Sequence, residues 1–150
     1  MRLYIFLILM LGSPLVMISC ISNKPTDPLH YQGRMIVAGS GGGFTGEERQ
    51  YRMLDNGQLY VGNPSDSSFV FMHAKSKRRA AKWLTAFDSM GVIQLDFNHP
   101  GNTYQYLETG EGGKRVVWGS KSEKPEVTIT DFYKQFMAYW IYSRQKGHSN

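Results

Sequence analysis

A single cysteine, Cys20, occurs among the 150 residues, so the sequence excludes a scaffold built on disulfide bonds. The histidines are His30, His73, His99 and His148, and none has a second histidine at the spacing of a zinc site. We therefore expect no metal and no cofactor. Acidic residues are also few, but the resulting net charge of +5 is too small to predict a nucleic-acid-binding protein.

The sequence also lacks a supported catalytic set. Asp96 and His99 would need a serine to form a triad, and the chain has no G-x-S-x-G nucleophile motif, so we interpret them as turn residues. Glu47 and Glu48 are adjacent in an extended stretch, so their side chains point to opposite faces and do not share one substrate bond. We predict that the folded part is not an enzyme and has no catalytic residues.

Apolar residues are concentrated at the amino-terminus. Met1 and Arg2 precede the apolar run Leu3–Leu11, which a Gly-Ser-Pro sequence then interrupts. This pattern is typical of a secretory signal peptide, and the run is shorter than the roughly 20 apolar residues that a transmembrane helix needs. An uncleaved amino-terminal anchor is the alternative interpretation.

The sequence VMISC at Val16–Cys20 resembles the lipobox of bacterial lipoproteins. This resemblance implies that residues 1–19 are a lipoprotein signal peptide and that Cys20 is the lipidated first residue of the mature protein. Attachment through several acyl chains would be effectively permanent. Because no acidic run follows Cys20, we expect a protein of the cell envelope, anchored to the outer membrane and facing the periplasm.

The rest of the chain divides into three parts. Residues 20–32 join the cysteine to a Pro-rich, polar stretch that predicts an extended tether. Residues 33–145 predict a single domain, which is long enough to bury one hydrophobic core. Residues 146–150 predict a polar tail.

Strand patterns dominate the first half of the domain. Gly33–Ala38 predicts a strand, and Glu48–Met53 alternates as a strand with one covered face. Asn56 and Gly57 predict a type I′ hairpin turn, in which both residues need a positive φ. The following predictions are a return strand at Gln58–Val61, a loop at 62–66 and a further strand at Phe69–Met72.

From Lys75 onward the apolar spacing becomes helical and ends near Gly91. We then predict an extended piece at 92–97, a turn at 98–102, a hairpin of 104–107 with 115–118, and a last helix capped by Thr128 or Thr130. Tyr139 and Tyr142 lie off the apolar side of that helix and are predicted to be exposed contact residues. These patterns predict an α+β fold, in which an antiparallel sheet of two hairpins plus extra strands has two helices packed on one face.

Five glycines occur among the eight residues Gly39–Gly46. Gly41–Gly46 satisfies the pattern G-x-G-x-x-G, which binds phosphate where it opens a helix. Here an extended stretch follows, so we interpret the glycines as a bulge or a tight crossing where no side chain fits. Phosphate binding by this loop remains the alternative.

The densest positive charge is at Lys75–Arg79, with Lys82 nearby. Basic side chains at the start of a helix oppose its dipole, so this run is mildly unfavourable for the helix itself. It therefore suggests an anionic partner, either lipid headgroups or an acidic protein surface. A solvated helix face is the alternative.

The segment Gly42-Gly43-Phe44-Thr45-Gly46 is followed by a strand that ends near Leu54 and a helix around Trp83. They are followed by Tyr104-Gln105-Tyr106, by Val116-Val117 and by an amphipathic helix after Pro125. This order of segments resembles the emfourin family over residues 33–141. Emfourins are small protein inhibitors of thermolysin-like metallopeptidases. This chain differs in carrying a lipid signal and an additional loop at Asn63–Ser68.

We expect a lipid-anchored, non-enzymatic binding module whose partners are the membrane, through Cys20, and a protein, with a peptidase as one possibility. The alternative is a small envelope enzyme or a nucleotide-binding or phosphate-binding domain that uses the loop at Gly39–Gly46. The candidate partner-binding residues are Gly42, Gly43, Phe44, Thr45, Gly46, Lys77, Arg78 and Arg79.

Overall fold

The computed structural model describes residues 24–110, 113–119 and 121–147, with the backbone alone for 140–147. The predicted signal peptide, Cys20 and the first tether residues lie outside the described residues. Within them, the strands are β1 (Met35–Gly42), β2 (Glu48–Leu54), β3 (Gln58–Asn63), β4 (Ser68–Ala74), β5 (Asn98–His99), β6 (Thr103–Glu108) and β7 (Arg115–Gly119), and the α-helices are α1 (Lys77–Ser89) and α2 (Val127–Gly147).

The seven strands of the described residues form one sheet in the order β4-β3-β2-β1-β6-β7-β5. Neighbouring strands are antiparallel except for β5 and β7, which pair in parallel through two residues each. Both helices contribute to the core on one face of the sheet. The predicted α+β fold is therefore confirmed.

The strand β1 is longer at its carboxyl end than the sequence predicted. It continues from Ala38 through Gly42, and its glycines pair with β2 on one side and β6 on the other. Glycine has little intrinsic preference for strands, but β1 lies between two partners that supply hydrogen bonds along its whole length. Tertiary pairing thus outweighs local propensity, and the glycine-rich segment is half strand and half loop.

The hairpin predicted at Asn56-Gly57 is confirmed, but its turn type is not type I′. Gly57 has a φ of 89°, whereas Asn56 keeps a negative φ. The Gly57 amide donates to the Leu54 carbonyl at 2.9 Å, and the Gln58 amide donates to Asn56 Oδ1 at 2.9 Å. This is a tight turn closed by a left-handed glycine, and a Cβ at Gly57 would overlap the carbonyl of Lys75.

The helices pack on the sheet through aromatic residues. The Trp83 ring of α1 makes edge contacts with Phe132 and Phe136 of α2, with centroid distances of 5.2 Å and 5.4 Å. Gly91, with a φ of 62°, follows the end of α1 as predicted. The buried residues of this face include Ile36, Met53, Leu59, Leu107, Val116 and Trp118 from the sheet and Leu84, Phe87, Ile129 and Phe136 from the helices.

Two predictions for α2 are wrong. The helix begins at Val127, so Thr128 and Thr130 lie within its first turn and neither caps it. Tyr139 is partly buried, because its ring packs on Trp83 at a centroid distance of 5.5 Å. The side chain of Tyr142 lies outside the described part of the chain.

The connection between α1 and β6 also differs from the prediction. Val92–Gln94 forms a 3₁₀ turn instead of an extended piece, since Val92 is buried in the core and the Gln94 amide donates to the Gly91 carbonyl at 2.9 Å. Residues 98–102 were predicted as a turn, but the first two form the short strand β5, in which Asn98 pairs with Val117.

Residues 24–32, predicted as part of a free tether, lie on the face of the sheet opposite the helices. Gln58 Nε2 donates to the Lys24 carbonyl at 2.8 Å, and the Thr26 amide donates to Gln58 Oε1 at 2.9 Å. Arg52 Nη1 donates to the carbonyl of the buried Pro28 at 2.9 Å. Buried polar side chains need such partners, and the folded unit therefore includes Lys24, well before residue 33.

We predict that Gln58→Leu releases this amino-terminal segment. The substitution removes both hydrogen bonds to the backbone of Lys24 and Thr26, and each such bond contributes about 1 kcal/mol. The free energy of unfolding should fall by roughly 1 to 3 kcal/mol, and hydrogen exchange at the Thr26 amide should accelerate. Gln94→Leu, at an exposed glutamine, is the control, and unchanged exchange at Thr26 in Gln58→Leu would contradict the prediction.

Candidate functional site

The hairpin that joins β1 and β2 ends in an exposed aromatic residue. We call residues 43–46 the hairpin tip, and within it the Phe44 side chain is fully exposed. Gly43 and Gly46, on either side, have φ values of 77° and 66°, which favour glycine. The Gly43 amide donates to the Asn102 carbonyl at 2.6 Å, so the base of the tip is fixed to the loop before β6.

Below the tip, two glycines of β1 leave room for two tyrosines of β6. Tyr106 lies opposite Gly39, and Tyr104 lies opposite Gly41. A Cβ at Gly39 would overlap the Tyr106 ring, and one at Gly41 would lie 2.7 Å from the Tyr104 hydroxyl oxygen. The expectation of a tight crossing where only glycine fits is therefore confirmed, because both tyrosines cross β1 at these positions.

The two tyrosine side chains reach Glu48 at the start of β2. The Tyr106 hydroxyl donates to Glu48 Oε1, and the Tyr104 hydroxyl donates to Glu48 Oε2 at 3.1 Å. Gln50 Nε2 donates to the Tyr106 hydroxyl at 3.0 Å. These bonds connect β6 to β2 across the intervening strand β1.

The guanidinium of Arg115 completes this network from β7. Its Cζ lies 3.9 Å from the centroid of the Tyr106 ring, and its Nε donates to Glu108 Oε2 at 2.8 Å. Burial opposes the charge of Arg115, but Glu108, Tyr106 and Glu48 outweigh it and raise the pKa. The pKa of Tyr106 is raised by burial and then by its bond to Glu48, so this hydroxyl stays protonated and acts as a donor.

The side chains of this network bond to one another and connect the strands. Glu48 accepts bonds from two hydroxyls and lies 3.4 Å from Arg115 Nη1, and Tyr106 is both a donor and an acceptor. A nucleophile or a general base would need a group that is free to exchange a proton with a substrate. We interpret the network as the rigid base of the hairpin tip.

A groove of about 820 Å³ adjoins the hairpin tip. It runs over the neighbouring ends of β1 to β4, with Ser40, Arg49 and Gln105 among its polar lining and Val61, Val70 and Met72 among its apolar lining. Val70 is among the exposed large apolar side chains of the described residues. The tip and the groove thus form one continuous surface at this end of the sheet.

The structure divides the candidate partner-binding residues between two places. Gly42 ends β1, and Gly43, Phe44, Thr45 and Gly46 form the hairpin tip. Lys77, Arg78 and Arg79 form the first turn of α1. That turn lies at the opposite end of the sheet, because the Lys75 amide donates to Gly57 in the β2–β3 turn at 2.8 Å. The strand β2 separates the two ends by about 20 Å.

His99, which was considered for a triad from the sequence, contacts Glu123 and Phe97. His99 Nδ1 lies 3.9 Å from Glu123 Oε2, and its ring packs against Phe97 in a tilted arrangement, with the ring centroids 4.6 Å apart. Within residues 24–110, 113–119 and 121–147, no group of three His, Cys, Asp or Glu side chains is placed to hold a metal ion. Over the same part of the chain, no helix is both long and apolar enough to span a membrane.

The network of Tyr104, Tyr106, Glu48 and Arg115 was not predicted from the sequence. A signal was present, because Gly39-x-Gly41 and Tyr104-x-Tyr106 have the same spacing of two residues. Residues two apart in a strand lie on the same face, so paired strands with these patterns place each tyrosine over a glycine. The pairing of β1 with β6, two strands far apart in sequence, was the missing information.

Comparisons with known proteins do not assign the chain to a family. No family model matches it, and no curated protein matches it significantly.

We predict that Gly39→Ala destabilises the domain by more than about 2 kcal/mol, because the new methyl group overlaps the buried Tyr106 ring. Urea unfolding followed by tryptophan fluorescence measures the effect. Thr85→Ala, at an exposed position of α1, is the control. In the double variant Gly39→Ala/Tyr106→Leu the two effects should be less than additive, since leucine removes the overlapping ring atoms. If the two losses in the free energy of unfolding were strictly additive, this would contradict the crossing of the Tyr106 ring over Gly39.

We predict that stability falls as the pH rises from about 10 to about 12. Burial raises the pKa of Tyr133 to about 12, and burial with the Asp55 acceptor raises that of Tyr31 to about 12. The ordinary tyrosine pKa is about 10, so the unfolded chain loses these protons first and is favoured in this range. Urea unfolding at a series of pH values measures the slope, which should be smaller in Tyr133→Phe. An equal slope in that variant would contradict the prediction.

Proposed function

We propose that this protein is a lipid-anchored, non-enzymatic binding module of the bacterial cell envelope, and that it contacts a protein partner through the hairpin tip. The observation that carries the proposal is the full exposure of Phe44 on a loop whose base is fixed. Large aromatic side chains are common energetic centres of protein interfaces. An aromatic residue held in solvent by a rigid hairpin suits that role.

The conformation of the hairpin tip reduces the cost of binding. A loop that is ordered before it meets its partner loses less conformational entropy on association. Here β1 is paired on both sides, and Gly43 is bonded to Asn102. The glycines on either side of Phe44 also leave space for a partner backbone to approach closely.

The resemblance to emfourins suggests a peptidase as the partner. The resembling segment Gly42–Gly46 is the segment that carries Phe44 to the surface. In this form of the proposal, the Phe44 side chain fills an apolar pocket of a thermolysin-like metallopeptidase. The adjacent groove would then accept a segment of the same partner.

Anchoring through Cys20 is the second part of the proposal. Its support is the order of the first residues, a positive start, the apolar run Leu3–Leu11 and the sequence VMISC. We propose the outer membrane, with the domain facing the periplasm. A protein held in this way needs no transmembrane helix in its folded part.

One structural feature weighs against a phosphate-binding loop. The backbone of Gly39–Gly41 is already used in pairing with both β2 and β6, and Gly42 pairs with β6. A phosphate cradle needs several free backbone amides that point to one place, and the residues after the tip continue as strand β2 instead of a helix. We therefore favour the binding module over the nucleotide-binding or phosphate-binding alternative.

We predict that Phe44→Ala weakens partner binding without changing stability. Thermolysin is a defined first probe, and inhibition of its peptide hydrolysis by the full-length protein is the measurement. Truncation of a central aromatic residue typically costs about 2 kcal/mol or more, so the inhibition constant should rise at least about 30-fold. Val127→Ala, at another exposed apolar residue, is the control. Equal inhibition by both variants would exclude the hairpin tip as the contact.

If thermolysin is not inhibited, the same pair of variants is compared in stoichiometric capture of a protein from envelope extract. Loss of the captured protein in Phe44→Ala alone supports the hairpin tip as the contact. A rise in melting temperature with a nucleotide or inorganic phosphate, without protein capture, would support the alternative function.

We predict that a palmitate analogue labels the protein in growing cells and that Cys20→Ser abolishes the label. The reason is that the acyl chains are attached to this residue. Arg34→Gln, expressed to the same level, is a control that leaves the lipobox unchanged. Label in the Cys20→Ser variant would exclude lipidation at this position.

A further inference from the structure

The docked amino-terminal segment fixes the place where the chain leaves the folded domain toward Cys20. Its first described residue, Lys24, accepts a bond from Gln58 at the start of β3. The adjacent residue Gly57 accepts a bond from the Lys75 amide at 2.8 Å. The exit of the chain and the start of α1 are therefore neighbours at one end of the sheet.

This end of the sheet carries the densest positive charge of the protein. We call Lys24, Lys75, Lys77, Arg78 and Arg79 the basic edge. All five belong to the exit or to the start of α1, and Lys24, Lys77, Arg78 and Arg79 are exposed. The start of α1 is also the positive end of its helix dipole, so the dipole and the basic side chains attract anions to the same place.

The nearby carboxylates are already engaged with other groups. Asp55 accepts a bond from the Tyr31 hydroxyl and one from the Arg34 amide at 3.1 Å. Asp88 forms an ion pair with the Arg34 side chain. Asp27 accepts a bond from the Leu29 amide at 2.9 Å and pairs with His30. The five positive charges of the basic edge outnumber these three carboxylates, so the edge keeps a net positive charge.

The distance from the basic edge to the proposed lipid is short. Three residues separate Cys20 from Lys24, and a fully extended chain covers at most about 3.6 Å per residue. The anchor therefore lies within roughly 14 Å of the exit. Electrostatic attraction to a charged membrane extends over about 8 to 10 Å in salt, so the edge is held where it can meet headgroups.

We propose that the basic edge is a membrane-facing surface that binds anionic phospholipid headgroups and orients the domain. This inference rests on the proposed membrane attachment. It does not depend on the type of attachment, because an uncleaved apolar segment would also place the membrane on the amino-terminal side of Lys24. The hairpin tip lies at the other end of β2, so the orientation directs Phe44 away from the membrane and toward its partner.

The test measures which end of the domain is near the lipid. The full-length protein is purified from membranes and reconstituted into phosphatidylcholine vesicles with or without phosphatidylglycerol. A fluorophore is placed at Ser76→Cys in one sample and at Thr45→Cys in another, and energy transfer to an acceptor on the lipid headgroups is recorded. We expect stronger transfer from position 76, a further increase with phosphatidylglycerol, and loss of that increase at high salt.

Matched charge variants assign the effect to the basic edge. Lys77→Gln/Arg78→Gln should lose the response to phosphatidylglycerol, because each basic residue contributes roughly a fivefold preference for an anionic surface. Lys121→Gln/Lys124→Gln removes the same charge from exposed lysines after β7 and should keep the response. Equal transfer from both labels, or an equal loss in both charge variants, would overturn the proposal. A response to polyglutamate but not to phosphatidylglycerol would assign the edge to an acidic protein and overturn the lipid assignment.

The attachment itself is checked separately with the wild-type protein. A lipidated Cys20 has no free thiol, so the wild-type chain should take up no maleimide. Uptake would overturn lipidation at Cys20 but not the basic edge, which is then measured with the same labels on a Cys20→Ser background. The two proposals can therefore fail independently.

Discussion

The crossing of two tyrosine side chains over β1, at two positions where that strand has glycine, is the constraint on which the sheet depends. Gly39 and Gly41 form a channel across β1, and Tyr106 and Tyr104 pass through it to Glu48. On the other face, the Tyr133 hydroxyl donates to the Gly39 carbonyl at 3.1 Å. The strand that carries the hairpin tip is thus held by both neighbouring strands and by α2.

The two faces of the sheet use different chemistry. The helix face is an apolar core in which aromatic rings supply much of the buried area. The opposite face buries the guanidinium of Arg52, which bonds to Gln50 and Pro28 and lies 4.1 Å from the Phe69 ring centroid. A buried charge without such partners would be strongly destabilising. Docking of the amino-terminal segment is therefore part of folding on this face.

The sequence was informative wherever the signal was local. The hairpin around Gly57, the helix that ends before Gly91 and the amphipathic side of α2 follow from spacing within short windows, and the structure confirms them. The turn type predicted at Asn56 was wrong. The bond from the Lys75 amide to the Gly57 carbonyl helps to set the conformation of this turn, and Lys75 lies outside the hairpin. The docking of residues 24–32 was missed for a similar reason, since a polar Pro-rich stretch gives no local sign of the side chains that will bind it.

The candidate site was only partly predictable for the same physical reason. The glycine-rich segment identified the hairpin tip and the steric need for glycine, but not the exposure of Phe44. Nor does a run such as Lys75–Arg79 show where it lies relative to the tip. That relation depends on the path of β2 and β3 between them, and it divides one predicted set of residues into two surfaces.

The exposure of Phe44 also has an evolutionary consequence. Its side chain makes no contribution to the core, so substitutions at this position carry almost no folding penalty. Selection can therefore change what the hairpin recognises while the channel of glycines and tyrosines below it stays constant. Homologues that recognise different targets should therefore differ at this residue while they keep Gly39, Gly41, Tyr104 and Tyr106.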